Sequence, residues 1–214
     1  MRSAPSLRGG RAARFAGLVL GLLLFSAGIV MLLESELGLS PWDVLNQGLA
    51  KHTILSFGMA NVAVALVVLA IAWALRARIG FGTVANALLI GVFIDGLLRI
   101  EAVDRLSEAP LAVRILLLGG GILTIGVGSA FYIGADYGAG PRDSLMLVIA
   151  ERSPLRIGAA RATLEAGAVV VGFALGGTVG IGTLAFALLI GPTVELAFWL
   201  LGRSPLAEVA SLTA

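Results

Sequence analysis

The sequence GLSPWD occupies residues 38–43, and a related sequence, GAGPRD, occupies residues 138–143. Two further blocks match at the same offset of one hundred residues. GFGT at position 80 matches GIGT at position 180, and ALLIG at position 87 matches ALLIG at position 187. No gap is needed between the blocks, and the shared proline, aspartate and threonine are not explained by a composition rich in leucine, alanine and glycine. We therefore interpret the chain as an internal duplication.

The composition excludes water as the main solvent of this chain. Of its 214 residues, 58% are hydrophobic and 13% are charged, whereas about 25% of the residues of a typical soluble protein are charged. The mean hydropathy is +1.01, the net charge is +2 and the chain contains no cysteine. A disordered chain, a nucleic-acid-binding protein and a secreted disulfide-rich domain are therefore not expected.

Six apolar runs of about 20 residues are long enough to cross the hydrocarbon core of a membrane. They lie at 15–34, 57–75, 80–98, 112–134, 157–175 and 180–201. The fold class predicted is an all-α polytopic membrane protein with about six transmembrane helices and two short half-helices. It forms one integral membrane domain, divided into a tail at 1–14, a first repeat at 15–100, a linker at 101–111, a second repeat at 112–202 and a tail at 203–214.

The first run follows an arginine-rich tail, a pattern that also occurs in secretory signal peptides. Because this run has a counterpart one hundred residues later, we interpret it as the first span. With the tail in the cytoplasm, most basic residues between the spans also fall on the cytoplasmic side, so the positive-inside rule predicts cytoplasmic termini. Each copy holds three spans, an odd number, so the second copy enters the membrane from the opposite side. The two repeats are therefore expected to be inverted.

Inverted repeats recur in secondary transporters, whose substrates bind between the repeats near the middle of the bilayer. We therefore expect a secondary transporter or permease that moves a small organic solute by alternating access, with an anionic solute among the alternatives. A non-transporting membrane accessory or scaffold protein is the second hypothesis. An enzyme is not expected, because the spacing of the residues contains no paired catalytic group or nucleotide motif.

The expected partners are the lipid bilayer and the solute, without nucleic acid, a metal or another cofactor. Self-association of the chain is left open as an alternative. The single histidine, His52, is interpreted as a surface residue.

The paired blocks, 38–43 with 80–91 and their second copies, resemble the YczE/YitT-type bacterial integral membrane proteins. The resemblance extends from about Phe15 to Leu201 and is greater to the YczE branch, because the chain has no room for the soluble C-terminal domain of YitT-like members. It implies a multi-pass protein of the bacterial plasma membrane, of a kind often described as a permease. It implies no substrate.

The two Pro/Asp segments predict short helices at 41–51 and 141–152. In the first copy, Ser40 suits the N-cap, Pro41 the first helical position and Asp43 the third; a glycine replaces the serine in the second copy. Each helix is too short to cross the membrane, so it either lies at the interface or enters as a half-helix.

Two half-helices entering from opposite sides would direct unpaired backbone N–H groups at a shared site for an anionic group. The candidate solute-binding residues of these segments are Ser40, Trp42, Asp43, Arg142, Asp143 and Ser144. In the alternative interpretation, both aspartates only cap short surface helices, and the arginine is an ordinary anchor on the cytoplasmic side.

Polar residues inside the apolar runs are further candidates, because a charge in the bilayer centre is costly. Arg161 and Glu165 share one face of the fifth run, either as a structural ion pair or as part of a solute site. Asn86 is a candidate hydrogen-bond donor in the third run. Asp95 and Glu195 are matched acids near the ends of the third and sixth runs, where interfacial solvation is the main interpretation and a gate is the alternative.

The two Gly-x-Gly-Thr sequences precede the third and sixth runs. Thr83 and Thr183 are therefore expected at helix N-caps. Glycines are also frequent in the first and fourth runs, for example Gly21 and Gly128, where they are expected to allow close packing of helices.

Overall fold

The structure, a computed structural model, describes residues 6–154 and 156–207. Arg2 of the predicted N-terminal tail and residues 208–214 of the predicted C-terminal tail lie outside the described residues. Apart from one 3-10 turn (Arg105–Glu108) and an isolated antiparallel bridge between Leu7 and Ala207, the regular structure of the described residues is α-helical. The helices are α1 (Arg11–Ser35), α2 (Pro41–His52), α3 (Phe57–Ala74), α4 (Phe81–Leu98), α5 (Glu101–Asp104), α6 (Leu111–Gly134), α7 (Pro141–Arg152), α8 (Ile157–Ala174) and α9 (Ile181–Arg203).

Six of these helices, α1, α3, α4, α6, α8 and α9, are long and apolar enough to cross a membrane. They coincide with the six predicted apolar runs, so the all-α polytopic membrane fold is confirmed. The largest difference at a helix start is in α1, which begins at Arg11 rather than at position 15. Arg14 is held in the first turns of this helix because its guanidinium donates hydrogen bonds to Ala135 O at 3.0 Å and to Asp136 Oδ2 at 2.8 Å.

The two short helices begin at the predicted prolines and are offset by one hundred residues. Each has 12 residues and is therefore about 18 Å long, well below the thickness of a bilayer core. Ser40 caps α2, and its Oγ accepts a hydrogen bond from the backbone N–H of Asp43 at 3.3 Å. The N-cap of α7 is Gly140, which has no side chain to fill this role.

The prediction for the two threonines is wrong by three positions. The N-caps of α4 and α9 are Gly80 and Gly180, and Thr83 and Thr183 occupy the third helical position. Each threonine hydroxyl reaches back and accepts a hydrogen bond from the N–H of the N-cap glycine, at 3.1 Å in α4 and 3.3 Å in α9. A glycine cap leaves its own N–H without a helical partner, and the threonine side chain supplies one.

Helices α1 and α6 cross closely and run antiparallel. A Cβ placed on Gly21 would lie 2.8 Å from Gly128 O, and a Cβ placed on Gly28 would lie 2.7 Å from Gly121 O. Contacts therefore pair earlier residues of α1 with later residues of α6. Positions 21 and 28 of α1 are the counterparts of positions 121 and 128 of α6. The contact of 21 with 128 therefore corresponds to the contact of 121 with 28, in which the two helices are exchanged.

The same exchange of roles occurs at the starts of α4 and α9. The N–H of Gly82 donates to Tyr137 O at 2.7 Å, and the N–H of Gly182 donates to Leu37 O, also at 2.7 Å. Reciprocal contacts of this kind are those of a two-fold relationship between two halves. Each short helix also packs against the other half, α2 against α8 and α7 against α3, so the two halves are interlocked.

A tight turn precedes each short helix. The backbone φ of Gly38 is 122°, and a Cβ at this position would lie 2.8 Å from the backbone nitrogens of Gly180 and Thr183. A side chain is therefore excluded both by the backbone conformation and by the close approach of the other half. The turn places the start of α2 at the centre of the molecule.

Candidate functional site

A cavity of about 180 Å³ lies between the two halves. This volume is well above the roughly 10–15 Å³ that one water molecule needs. Both short helices and the spans of both halves contribute to its walls. Its polar and aromatic lining residues include Ser40, Trp42, Asp43, Asn61, Asn86, Ser129, Tyr132, Arg142, Asp143, Arg161 and Glu165.

Two equivalent residues of the repeat meet in this cavity. The guanidinium carbon of Arg142 lies 5.1 Å from the centre of the Trp42 ring, a cation–π distance. Positions 42 and 142 are counterparts at the offset of one hundred residues. A residue that contacts its own counterpart lies at the axis that relates the two halves, so both short helices begin beside that axis.

Asp43 is enclosed within its own half of the site. The residue is 1% exposed, and Ser40 Oγ donates a hydrogen bond to its Oδ2. Asn46 Nδ2 donates to Oδ1 at 3.1 Å. Both carboxyl oxygens therefore have a donor from α2 or its N-cap, as a buried carboxyl group requires. The serine and asparagine hold this carboxyl group in the wall of the cavity.

Asp143 has a different partner, because Gly140 offers no hydroxyl group. Tyr132 of α6, which is 4% exposed, donates a hydrogen bond from its hydroxyl to Asp143 Oδ2 at 3.0 Å. The two equivalent aspartates thus both line the cavity but are held by different residue types. The binding surface is asymmetric although the backbone elements correspond.

Arg142 has its hydrogen-bond donors available. Among residues 6–154 and 156–207, no hydrogen bond or ion pair within 4.0 Å involves its guanidinium, which lies over the ring of Trp42 and interacts electrostatically with the carboxyl groups of Asp43 and Asp143. A guanidinium is planar and carries five N–H donors suited to carboxylate or phosphate oxygens. The contact with Trp42 therefore holds the guanidinium in the cavity while its N–H groups remain free to donate hydrogen bonds.

A second unsatisfied donor comes from α3. Asn61 is 2% exposed, lines the cavity, and its Nδ2 has no hydrogen-bond partner among the described residues. A buried amide nitrogen without an acceptor costs free energy unless a water molecule or a ligand supplies one. The cavity is the place where such an acceptor would lie.

The counterparts of Asn61 and Ala65 in the second half are charged. Arg161 Nε donates to Glu165 Oε1 at 2.8 Å within one turn of α8. The arginine side chain is 49% exposed and the glutamate side chain 25% exposed, and both line the cavity. The predicted i, i+4 pairing is therefore present, at the open side of the cavity rather than in its closed centre.

The remaining candidates divide into one residue at the cavity and three elsewhere. Asn86 lines the cavity beside Gly140. The Ser144 hydroxyl donates to Ala139 O at 3.4 Å, and this residue is not part of the cavity lining. Asp95 caps the start of α3, where its carboxylate accepts hydrogen bonds from Ser56 and Gly58, and Glu195 is exposed on α9.

Sequence reasoning missed three polar lining residues: Tyr132, Ser129 and Asn61. The first two lie in a long apolar run where tyrosine and serine carry no distinctive pattern. Asn61 could have been found from the sequence, because it lies at the position of the first copy that corresponds to Arg161 in the second copy. Polar residues at matched positions in both copies are good candidates for the interface between the copies.

Comparison with known proteins places the chain in a family. Residues 12–198 match the model of a family of unknown function, DUF6198. The chain is 35% identical over 191 residues to an uncharacterized protein of Haemophilus influenzae, covering 87% of this chain and 86% of that protein. It is 34% identical over 173 residues to the uncharacterized membrane protein YczE of Bacillus subtilis, covering 80% and 79%.

A further relative, the uncharacterized protein YyaS of Bacillus subtilis, is 32% identical over 168 residues, 77% of this chain and 82% of that protein. No solved structure matches. These similarities extend over most of the chain and include both copies of the repeat. The predicted resemblance is thereby confirmed: the chain belongs to the YczE-type membrane proteins of the DUF6198 family.

Proposed function

We propose that this membrane protein is a small secondary transporter that binds a small organic solute in the cavity between its two halves. The observation that carries the proposal is the cavity at the axis relating the halves, whose lining includes a guanidinium with free hydrogen-bond donors. Transport follows by alternating access, in which the two halves exchange conformations around one site.

The proposal includes an inverted orientation of the two halves. Its support is the antiparallel crossing of α1 and α6, which are the first spans of the two copies. If the first spans of two copies cross the membrane in opposite directions, the copies have opposite orientations. The distribution of basic residues supports cytoplasmic termini, the expected side for the arginine-rich tail of a bacterial plasma-membrane protein.

The chemistry of the cavity supports a solute with an acceptor group, such as a carboxylate or a phosphate. Arg142 offers a fork of N–H donors, and Asn61 offers an amide N–H on the wall formed by α3. The contact with the Trp42 ring restricts the motion of the guanidinium, which reduces the conformational entropy lost on binding. A volume of about 180 Å³ is slightly larger than a cavity of about 150 Å³ that holds benzene, so this conformation suits a solute of similar size.

The alternative is a membrane accessory or scaffold protein that transports nothing. A scaffold needs only a packed interior, because its function lies on its surface. A cavity that touches Arg142, Asp143 and Glu165 costs packing energy and leaves polar groups unsatisfied, for which a scaffold has no use. The cavity therefore favours the transporter.

Reconstitution into liposomes tests the proposal. The purified protein is first screened for thermal stabilisation by acetate, lactate, alanine and inorganic phosphate, and saturable uptake of any stabilising compound is then measured. We expect uptake that is lost in Arg142→Gln and retained in Arg152→Gln, a matched exposed arginine on the same helix. Neither stabilisation nor saturable uptake of small carboxylates or phosphate, with a fully folded protein, would refute the transporter and favour the scaffold.

A further inference from the structure

The two halves differ at one matched contact, and this difference distinguishes two conformations. In the first half, α3 and α4 meet around Gly58 and Gly91; we call this contact the first seam. A Cβ on Gly58 would lie 2.2 Å from Gly91 O, and a Cβ on Gly91 would lie 2.3 Å from Gly58 O. The two backbones are therefore in direct contact, and no side chain fits between them.

Hydrogen bonds to Asp95 of α4 reinforce the first seam. Gly58 N–H donates to Asp95 Oδ1 at 2.9 Å, and Ser56 Oγ donates to Oδ2 at 2.5 Å. The carboxylate thus occupies the N-terminus of α3, where it is stabilised by free N–H groups. Further along α3, the cavity-lining residues Asn61 and Ala65 are only 2% and 5% exposed, so the cavity wall next to the first seam is closed to solvent.

The equivalent residues of the second half are present but do not meet. Gly158 of α8 and Gly191 of α9 are the counterparts of the glycines of the first seam, and we call the position between them the second seam. Within the part of the chain that the structure describes, no atom of another segment lies within 4 Å of a Cβ placed on either glycine. Helices α8 and α9 are accordingly less buried: 17% and 22% of an 18-residue apolar stretch of each is buried, compared with 39% and 44% in α3 and α4.

The second seam also keeps a polar pair that could close it. The counterparts of Ser56 and Asp95 are Arg156 and Glu195, which carry opposite charges. Both are exposed, and among the described residues neither forms an ion pair. In the first half, the contact joins the hydroxyl of Ser56 to the carboxylate of Asp95. In the second half, the matching groups are a guanidinium and a carboxylate, which form a stronger pair when they are in contact.

Helix α9 contains a proline next to the glycine of the second seam. Pro192 follows Gly191 inside α9, whereas the corresponding residue of α4 is Val92. A proline inside a helix removes one backbone hydrogen bond and permits a kink at that position. The C-terminal part of α9 therefore has a hinge next to the glycine of the second seam.

We infer that the two seams close alternately. The structure has the first seam closed and the second seam open, and the other state of the protein closes the second seam through Gly158, Gly191, Arg156 and Glu195. In the predicted topology the first seam lies toward the outside and the second toward the cytoplasm, so the structure is the inward-open state. The inference rests on the proposed transport for its purpose, but it concerns a motion that is measurable without a solute.

The glycines provide a variant that separates the two states. In the structure, Gly158→Ala has open space around the added methyl group and should fold normally. In the alternate state the same methyl group would meet Gly191 O, as a Cβ on Gly58 meets Gly91 O in the first seam. Gly167→Ala is the matched control, because it lies on the same helix and also has no neighbouring atom within 4 Å.

Cross-linking tests the inference directly, since the chain has no native cysteine. The pair Arg156→Cys and Glu195→Cys is placed across the second seam, and a short bifunctional thiol reagent is added to membranes. We expect cross-links within one chain. The cross-linking rate should fall at least about tenfold when Gly158→Ala is added, the effect of overpacking by one methyl group, and should not change with Gly167→Ala. Solute uptake, once identified, should fall in parallel.

Each outcome decides the inference. If the second-seam cysteines never cross-link, cross-link only between two chains, or cross-link equally in the Gly158→Ala and Gly167→Ala backgrounds, the seams do not alternate. If cross-linking follows the expected pattern but no solute crosses the membrane in liposomes, the motion stands and the proposed transport is wrong. A Ser56→Cys and Asp95→Cys pair spans the closed first seam and serves as a positive control. Cross-linking of this pair verifies that the reagent bridges two cysteines across a closed seam.

Discussion

The crossing of α1 and α6 makes a quantitative prediction, because a single methyl group at Gly128 would strike the backbone of the opposite helix. A Cβ at this position would lie 2.6 Å from Phe25 N and 2.7 Å from Gly21 O. Real Cβ atoms essentially never approach a neighbour closer than 3.0 Å. In Gly128→Ala the two helices must therefore separate by about 0.4 Å at this point.

The cost of this separation follows from close packing. Both clashing atoms belong to the backbone of α1, so no side-chain rotation relieves the contact, and the shift is transmitted to the second crossing at Gly28 and Gly121. Inserting one methyl group into a tight contact of this kind costs roughly 1–3 kcal/mol, or about a 5- to 150-fold change in the unfolding equilibrium. We expect a loss of this size in the free energy of unfolding.

Unfolding of the purified protein in mixed micelles by sodium dodecyl sulfate, followed by loss of helical circular dichroism, measures this free energy. Gly119→Ala is the matched control, because it lies on the same helix and has no neighbouring atom within 4 Å. Both variants gain the same helix propensity, so their difference isolates the steric cost. A difference below about 0.5 kcal/mol would refute the close crossing, since it would equal the usual effect of a surface substitution.

Three further substitutions test residues of the cavity, and a fourth, Ser144→Ala, is a control outside it. In Tyr132→Phe, Asp143 loses the 3.0 Å hydrogen bond from the tyrosine hydroxyl, so the same unfolding measurement should reveal a loss of about 1.5 kcal/mol, and an unchanged value would mean that this bond does not hold the carboxyl group. Ser40→Ala removes the cap of α2 and should lower the free energy of unfolding by about 1–2 kcal/mol. Ser144→Ala removes only a long hydrogen bond of 3.4 Å and should lower it by less than about 0.5 kcal/mol. Equal losses in the two variants would contradict the assigned cap. Arg142→Lys keeps the charge but loses the planar fork, so the KM for uptake of an identified carboxylate solute should rise about tenfold in liposomes, and an unchanged KM would exclude a bidentate contact.

Several features of the site were predictable because they depend on residues close together in the chain. The Pro/Asp segments specify helix starts by local hydrogen bonding, so α2 and α7 begin where Pro41 and Pro141 stand. Arg161 and Glu165 are separated by one helical turn, and their ion pair follows from that spacing. Of the candidate solute-binding residues, those near the starts of both short helices line one cavity, apart from Ser144.

Other features depend on distant residues and left no local pattern. The partner of Asp143 is Tyr132, and the partner of Arg142 is Trp42, one hundred positions away. The position of Asp95 at the start of α3 likewise needs the packing of α4 against α3. The N-cap assignment of Thr83 failed because serine-like caps and third-position threonines have similar sequence contexts, and the backbone geometry of Gly80 decides between them.

The sequence by itself determined that the protein lies in a membrane, that it has six spans and that it is duplicated. These features depend on the lengths of the apolar runs and on the matched sequence blocks, which are properties of the linear chain. It also determined that both copies carry the same small residues at the seams. Only the tertiary structure decided that Gly58 and Gly91 are in contact while Gly158 and Gly191 are apart. The physical reason is that contact between two helices depends on how segments distant in the chain pack against each other, which no local sequence pattern records.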